Sequence, residues 1–126
     1  MSTNAVDHPR HYTSHPSGVE TVEITEWLPF NLGNCVKYIM RREHKGNERQ
    51  DLEKALWYAR REKERQRDAF RCPIPAGLVE RVTRVAAAEP DWEIARAIGL
   101  LSLSPWGDSF ERDLSLAIRI IEEKLS

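Results

Sequence analysis

Cysteine is scarce in this chain: Cys35 and Cys72 are the only two among 126 residues. Two thiols cannot staple a disulfide scaffold, and their separation is not that of a metal knuckle, so both are expected to be free. Long apolar runs are missing as well. Nothing approaches the roughly 18 unbroken apolar residues of a membrane span. An excess of one charge is absent too: 19 Lys+Arg stand against 20 Asp+Glu, a net charge of −1. No global field therefore pulls the chain onto nucleic acid or an acidic membrane, and any anion site must be local. The phosphate-cradling GxxxxGKS/T, the dinucleotide fingerprint GxGxxG and the nucleophile elbow GxSxG do not occur. The opening MSTNAVDHPRHY lacks the charged and then apolar segments of a secretory signal, which predicts a cytoplasmic setting.

What is present suits one small domain, at most a core with an appendage. At 14.6 kDa, with 40% hydrophobic and 31% charged residues, the chain is neither disordered by composition nor fibrous. Up to Cys72 there are thirteen basic and eleven acidic residues, and beyond it six and nine. That mild asymmetry places an anionic ligand in the first part. Residues 1–18 show no helical or strand period and read as an irregular arm. From Val19, VETVEITEWL reads as a short helix with Ser17 available as a cap and Pro29 as a stop. A second helix is expected from about Asn31 to Glu43, ending at the breaker Gly46-Asn47, and a third from about Glu48 to Arg71. Beyond Pro75, helices are expected over 76–88, 91–101 and 109–125, separated by Pro90, Pro105 and Gly107. No hairpin or alternating stretch appears, so the fold class is all-α, divided as arm 1–18, a three-helix core 19–72 and a helical extension 73–126.

Helical spacing then gathers polar side chains into stripes. On the second helix Asn34, Lys37, Tyr38 and Arg41 share a face, opposite Cys35, Val36, Ile39 and Met40. A lysine point charge beside an arginine fork is a combination that phosphate oxygens accept well, although many solvated faces share this pattern. The third helix repeats the theme with Asp51, Lys54 and Tyr58, against a packing side of Leu52, Ala55, Leu56 and Ala59. On the first, Glu20 and Glu23 lie one turn apart, where they either serve as helix-start charges or supply carboxylates for Mg²⁺; Val19 and Val22 are available for burial. In the arm, His8, Arg10, His11 and Tyr12 crowd into a short stretch suited to phosphate or base contact, or to packing on the third helix. The run Arg60–Arg71 interleaves basic residues with Glu62, Glu64 and Asp68, which argues for a solvated extension and against nucleic acid. The last helix carries more apolar surface than one small module hides, which predicts self-association into a homo-oligomer.

Four blocks, HPRHY, VETVEITEW, FNLGNCVKYIMRREHKGN and DLEKALWYARRE, resemble in order and spacing a small phage-encoded, nucleotide kinase-like family long catalogued as a domain of unknown function. The resemblance covers about residues 7–62 and implies a nucleotide-binding phage protein; the expected function is an enzyme's, phosphoryl transfer to a deoxynucleoside monophosphate. The matching positions are His8, Pro9, His11, Tyr12, Glu20, Glu23, Asn31, Gly33, Asn34, Lys37, Tyr38, Arg41, Asp51, Lys54 and Tyr58. From side-chain chemistry, Lys37 and Arg41 are expected to hold phosphate oxygens with His11 and His8 closing from the arm, and Lys54, Tyr12, Asn34, Tyr38 and Tyr58 to contact the nucleotide. Glu20, Glu23 and Asp51 would place Mg²⁺, with ATP as phosphate donor. The alternatives are a non-catalytic module that sequesters a nucleotide or engages a host protein, and a helical nucleotide pyrophosphohydrolase.

Overall fold

Prolines and one left-handed residue set the element boundaries. The computed structural model describes residues 15–42 and 47–126, and among these every regular element is helical. They are α1 (Val22–Thr25), α2 (Phe30–Arg41), α3 (Glu48–Arg65), α4 (Ala76–Ala88), α5 (Trp92–Leu103), a 3-10 turn at Ser104–Trp106, and α6 (Phe110–Leu125). The fold is all-α, as the patterning predicts. No helix among the described residues is long and apolar enough to cross a membrane.

Two boundaries differ from expectation, each for a local reason. The first helix shrinks to one turn because the backbone tightens beyond Thr25, the Trp27 N–H donating to the Ile24 carbonyl and the Leu28 N–H to the Thr25 carbonyl ahead of Pro29, and its start is held by Glu23, whose Oε2 accepts the Glu20 N–H at 2.8 Å. Ser17 caps nothing there; its Oγ accepts the Val19 N–H and its own N–H is donated to His15 Nδ1. The third helix stops at Arg65, six residues short of the expected Arg71. Gln66 takes the left-handed conformation (φ 50°), and the chain turns so that Arg67 Nε donates to Glu62 at 2.7 Å.

Helices α2 and α3 run antiparallel. Arg41 faces Asp51, Tyr38 faces Tyr58, and Asn31 reaches Glu62. Their apolar stripes, Leu32, Cys35, Val36, Ile39 and Met40 against Leu52, Ala55, Leu56 and Ala59, are buried. The C-terminal helices cover that seam from below: α5 packs on α2, α6 on α3 and α5, and α4 on α5 and α1. One core therefore spans both sides of Cys72-Pro75. Ile94, Ile98, Leu101, Leu114 and Ile121 are each at most 1% exposed, worth about 1.5–3 kcal/mol apiece in apolar burial. On α6, Ala117, Ile118, Ile120 and Ile121 are buried in the chain's own core, while Leu116 and Leu125 stay partly exposed. Val22 points outward instead of into the core, its place taken by Val19 and Ile24.

A buried polar tie joins the two halves. Glu89, at the end of α4, receives both terminal nitrogens of Arg42 (2.7 and 3.2 Å) and lies 3.2 Å from His15 Nε2. Because His15 Nδ1 accepts the Ser17 N–H, Nε2 carries the proton that faces Glu89. Burial alone would push the Glu89 carboxyl up, but the hydrogen bonds from His15, Arg42 and the Asp91 N–H, with the Arg42 charge, pull it down to about 2.

Candidate functional site

The polar stripes of α2 and α3 meet at the rim of the seam. Tyr38, half-buried against the core, is ringed by three cations: Lys37 Nζ lies 4.5 Å from its ring centre, Lys54 Nζ 5.3 Å and the Arg41 guanidinium carbon 5.3 Å. Each contact is worth about 0.5–1 kcal/mol at a partly exposed site. Neighbouring positive charges repel one another, and the carboxylate seen beside them is Asp51, with Oδ1 4.0 Å from Arg41 Nε. Three cations against one carboxylate form a local positive field on a chain whose net charge is −1. The cluster also has unused hydrogen-bonding capacity. Arg41 Nε and Asp51 Oδ2 are buried and neither has a hydrogen-bond partner, an arrangement that carries a desolvation cost.

An aromatic row continues from Tyr38. Its ring stacks on Tyr58 (centres 6.0 Å apart, planes at 11°), and Tyr58 in turn meets Phe30 edge-on at 6.1 Å and Trp57 at 5.0 Å. Phe30 is 74% exposed and Trp57 59%. Large rings left in water are available for contact instead of being spent on the core. Beside them runs an open groove of about 410 Å³, lined by Asn31, Arg61, Arg65 and Arg67 as well as Phe30, Trp57 and Tyr58. Glu62, almost fully buried, ties three of the lining residues: it accepts from Arg67 and from the Asn31 amide (3.3 Å), with Arg65 Nε 3.9 Å away.

Among the residues expected from sequence, Lys37, Tyr38, Arg41, Asp51, Lys54 and Tyr58 come together. Asn34 sits one turn along, its amide donating to the Phe30 carbonyl at 2.9 Å, in a shallower groove of about 320 Å³ shared with Lys37. Glu23 is used elsewhere, capping at Glu20 and lying 3.8 Å from Arg81 Nε. No group of three or more His, Cys, Asp or Glu able to hold a metal ion occurs among the described residues, so Glu20, Glu23 and Asp51 do not form one. His8, His11 and Tyr12 lie outside the described residues. Sequence reasoning missed Phe30, Trp57 and the trio Arg61, Arg65 and Arg67. A signal for the aromatics existed: both fall off the apolar stripes of their helices, Phe30 one turn before Asn34 and Trp57 outside the Leu52–Ala59 packing positions.

A family described as a protein of unknown function (DUF3310) matches residues 6–60. The chain is similar to that family over the arm, α1, α2 and most of α3. This corrects the resemblance drawn from the four blocks: the matching family carries no assigned function, and nothing among the findings indicates a nucleotide kinase-like family. No curated protein and no solved structure matches the chain.

Proposed function

We propose that the rim between α2 and α3 binds a nucleotide, with phosphate oxygens at Lys37, Arg41 and Lys54 and the base against Tyr58, oriented by Asn34 and Tyr38. The observation that carries this reading is the convergence of three cations on one tyrosine ring at the end of an aromatic row. Phosphate supplies the negative charge the cluster lacks, and a base has the π-face that such a row accepts. An apolar ligand would leave those charges unanswered, and inorganic phosphate would leave the rings unused. The setting in this reading is the cytoplasm, where nucleotides are abundant and Cys35 and Cys72 stay reduced.

Phosphoryl transfer would in addition require Mg²⁺ on one or two carboxylates beside the phosphates. Asp51 is the carboxylate at that place. Sequestration without turnover needs only the cations and the rings.

Calorimetric titration of the chain with each deoxynucleoside monophosphate, with and without EDTA, tests the binding. Lys37→Ala combined with Lys54→Ala should weaken it by about tenfold or more, the loss of one or two charge-assisted contacts. Absence of heat at millimolar concentrations of every nucleotide would reject the reading. Following product in the presence of ATP and Mg²⁺ then separates transfer from sequestration.

A further inference from the structure

The cations lie at both ends of the aromatic row, not at one. Lys37, Arg41 and Lys54 surround Tyr38 at one end; Arg61, Arg65 and Arg67 line the groove beside Phe30 at the other. Between them Tyr38, Tyr58 and Phe30 follow one another at 6.0 and 6.1 Å. A mononucleotide has its phosphate on one side of a single base. A nucleoside triphosphate carries more charge, but its phosphates are contiguous and would all sit at one end. Only a ligand whose phosphates are separated by bases meets two cationic clusters two aromatic steps apart. We infer that the physiological ligand of this face is a short stretch of single-stranded nucleic acid, held by its backbone at the two clusters with bases laid on the exposed rings.

This deepens the nucleotide-binding reading and rests on it. The charge alternation along 60–71, which in sequence argues against nucleic acid, is resolved in space. Glu62 is buried and positions Arg67; Arg65 lies 3.9 Å from it and Arg61 3.9 Å from the exposed Glu64, yet the side chains of Arg61 and Arg65 remain about 60% exposed. Charge also selects the path. The groove on the other side of Trp57, about 450 Å³, sets Glu53 and Glu64 against Arg49 and Arg60 and so offers a backbone no net positive charge. The strand is therefore directed along the Phe30 side. Stacking on exposed rings tolerates any base, so recognition is by backbone and π-face more than by sequence.

The test uses the full chain with fluorescein-labelled oligo(dT) and oligo(rU) of about twelve nucleotides, a length within the range one such platform covers. Fluorescence anisotropy is read against competition by dTMP. At least one strand should bind about tenfold or more tightly than dTMP, quench Trp57 fluorescence, and weaken linearly in log affinity against log salt concentration. The two oligomers distinguish a DNA from an RNA ligand. The exposed double variant Arg61→Ala/Arg65→Ala should cost strand affinity about fivefold or more while leaving dTMP binding unchanged. Strands binding no more tightly than dTMP, or an undiminished strand affinity in the double variant, would overturn the inference and leave the nucleotide reading standing. Equal affinity for a polyglutamate of matched charge would overturn it in favour of an acidic peptide. If neither dTMP nor strand binds, both readings fall together.

Discussion

Replacing Glu89 by Gln isolates the buried tie between the two halves of the chain. The substitution keeps the shape of the side chain and removes the charge that two Arg42 nitrogens and His15 share. Its magnitude can be reached by two routes. Linkage gives the first: a carboxyl held at about 2 in the fold against its ordinary 4.5 contributes about 3 kcal/mol when ionised. Loss of one member of a buried ion pair gives the second, about 3–5 kcal/mol. The lower end applies, because Arg42 keeps a bond to the Ile39 carbonyl and Glu48 lies 3.9 Å away. Urea unfolding at pH 7 should therefore show Glu89→Gln less stable by about 3 kcal/mol, with a melting temperature lower by about 10 °C in a chain of this size.

The pH dependence gives the sharper test. Since the folded value lies below the unfolded one, the stabilisation is present in full above 4.5 and disappears as pH falls from 4.5 towards 2. Wild type should lose about 3 kcal/mol across that window that the variant does not lose, so the two stability curves converge at low pH. Curves that fall in parallel from pH 5 to pH 2, or a cost below about 1 kcal/mol at neutral pH, would refute the assignment.

Gly99 and Gly33 make a paired prediction. An added Cβ at Gly99, in the interior of α5, meets nothing within 4 Å, so Gly99→Ala should raise stability by about 0.5–1 kcal/mol through helix propensity alone. At Gly33 the same atom would lie 3.3 Å from the Thr25 carbonyl oxygen, backbone that cannot rotate away; Gly33→Ala should gain nothing or lose stability, and equal gains in both variants by thermal melting would contradict the packing of α1 on α2. The thiols should also separate. Cys35 is fully buried and burial pushes its thiol far above the usual range, whereas Cys72 is exposed, so a disulfide-exchange reagent should titrate one thiol rapidly in the native chain and two after unfolding.

Helix positions beyond Pro75 were legible because Pro75, Pro90, Pro105 and Gly107 break the chain at the element ends: 76–88 is found as expected, and α5 and α6 differ from expectation by at most two residues at either end. Such punctuation is covalent and local. The end of α3 was not legible, since nothing in the composition of residues 60–71 marks Gln66; the helix stops where Arg67 folds back to a buried Glu62, a tertiary event. The same buried acid hid the arginine cluster, because one-dimensional charge alternation cannot tell which charge faces inward. The α2 and α3 stripes were readable from a period of 3.6, and their meeting at Tyr38 follows from the antiparallel hairpin that a short connection imposes. Phe30 and Trp57 ran against the default that large aromatics point to the core.

The expected division at Cys72-Pro75 into a working core and a separate extension has a different physical content once the packing is known. Tyr38 and Tyr58 can stack at 6.0 Å only while α2 and α3 keep their register, and that register is held from beneath by α5 against α2 and α6 against α3. Ile39, Leu52, Ala55 and Ala59 are buried by both parts of the chain together. Two helices and one turn offer too little enclosed apolar surface to offset the entropy of ordering them. The segment similar to the DUF3310 family, residues 6–60, thus supplies the side chains of the rim, while α4, α5 and α6 supply the burial that holds those side chains in register. A relative sharing only the first segment must cover the same seam with other helices, or with a second copy of itself, to hold the same face.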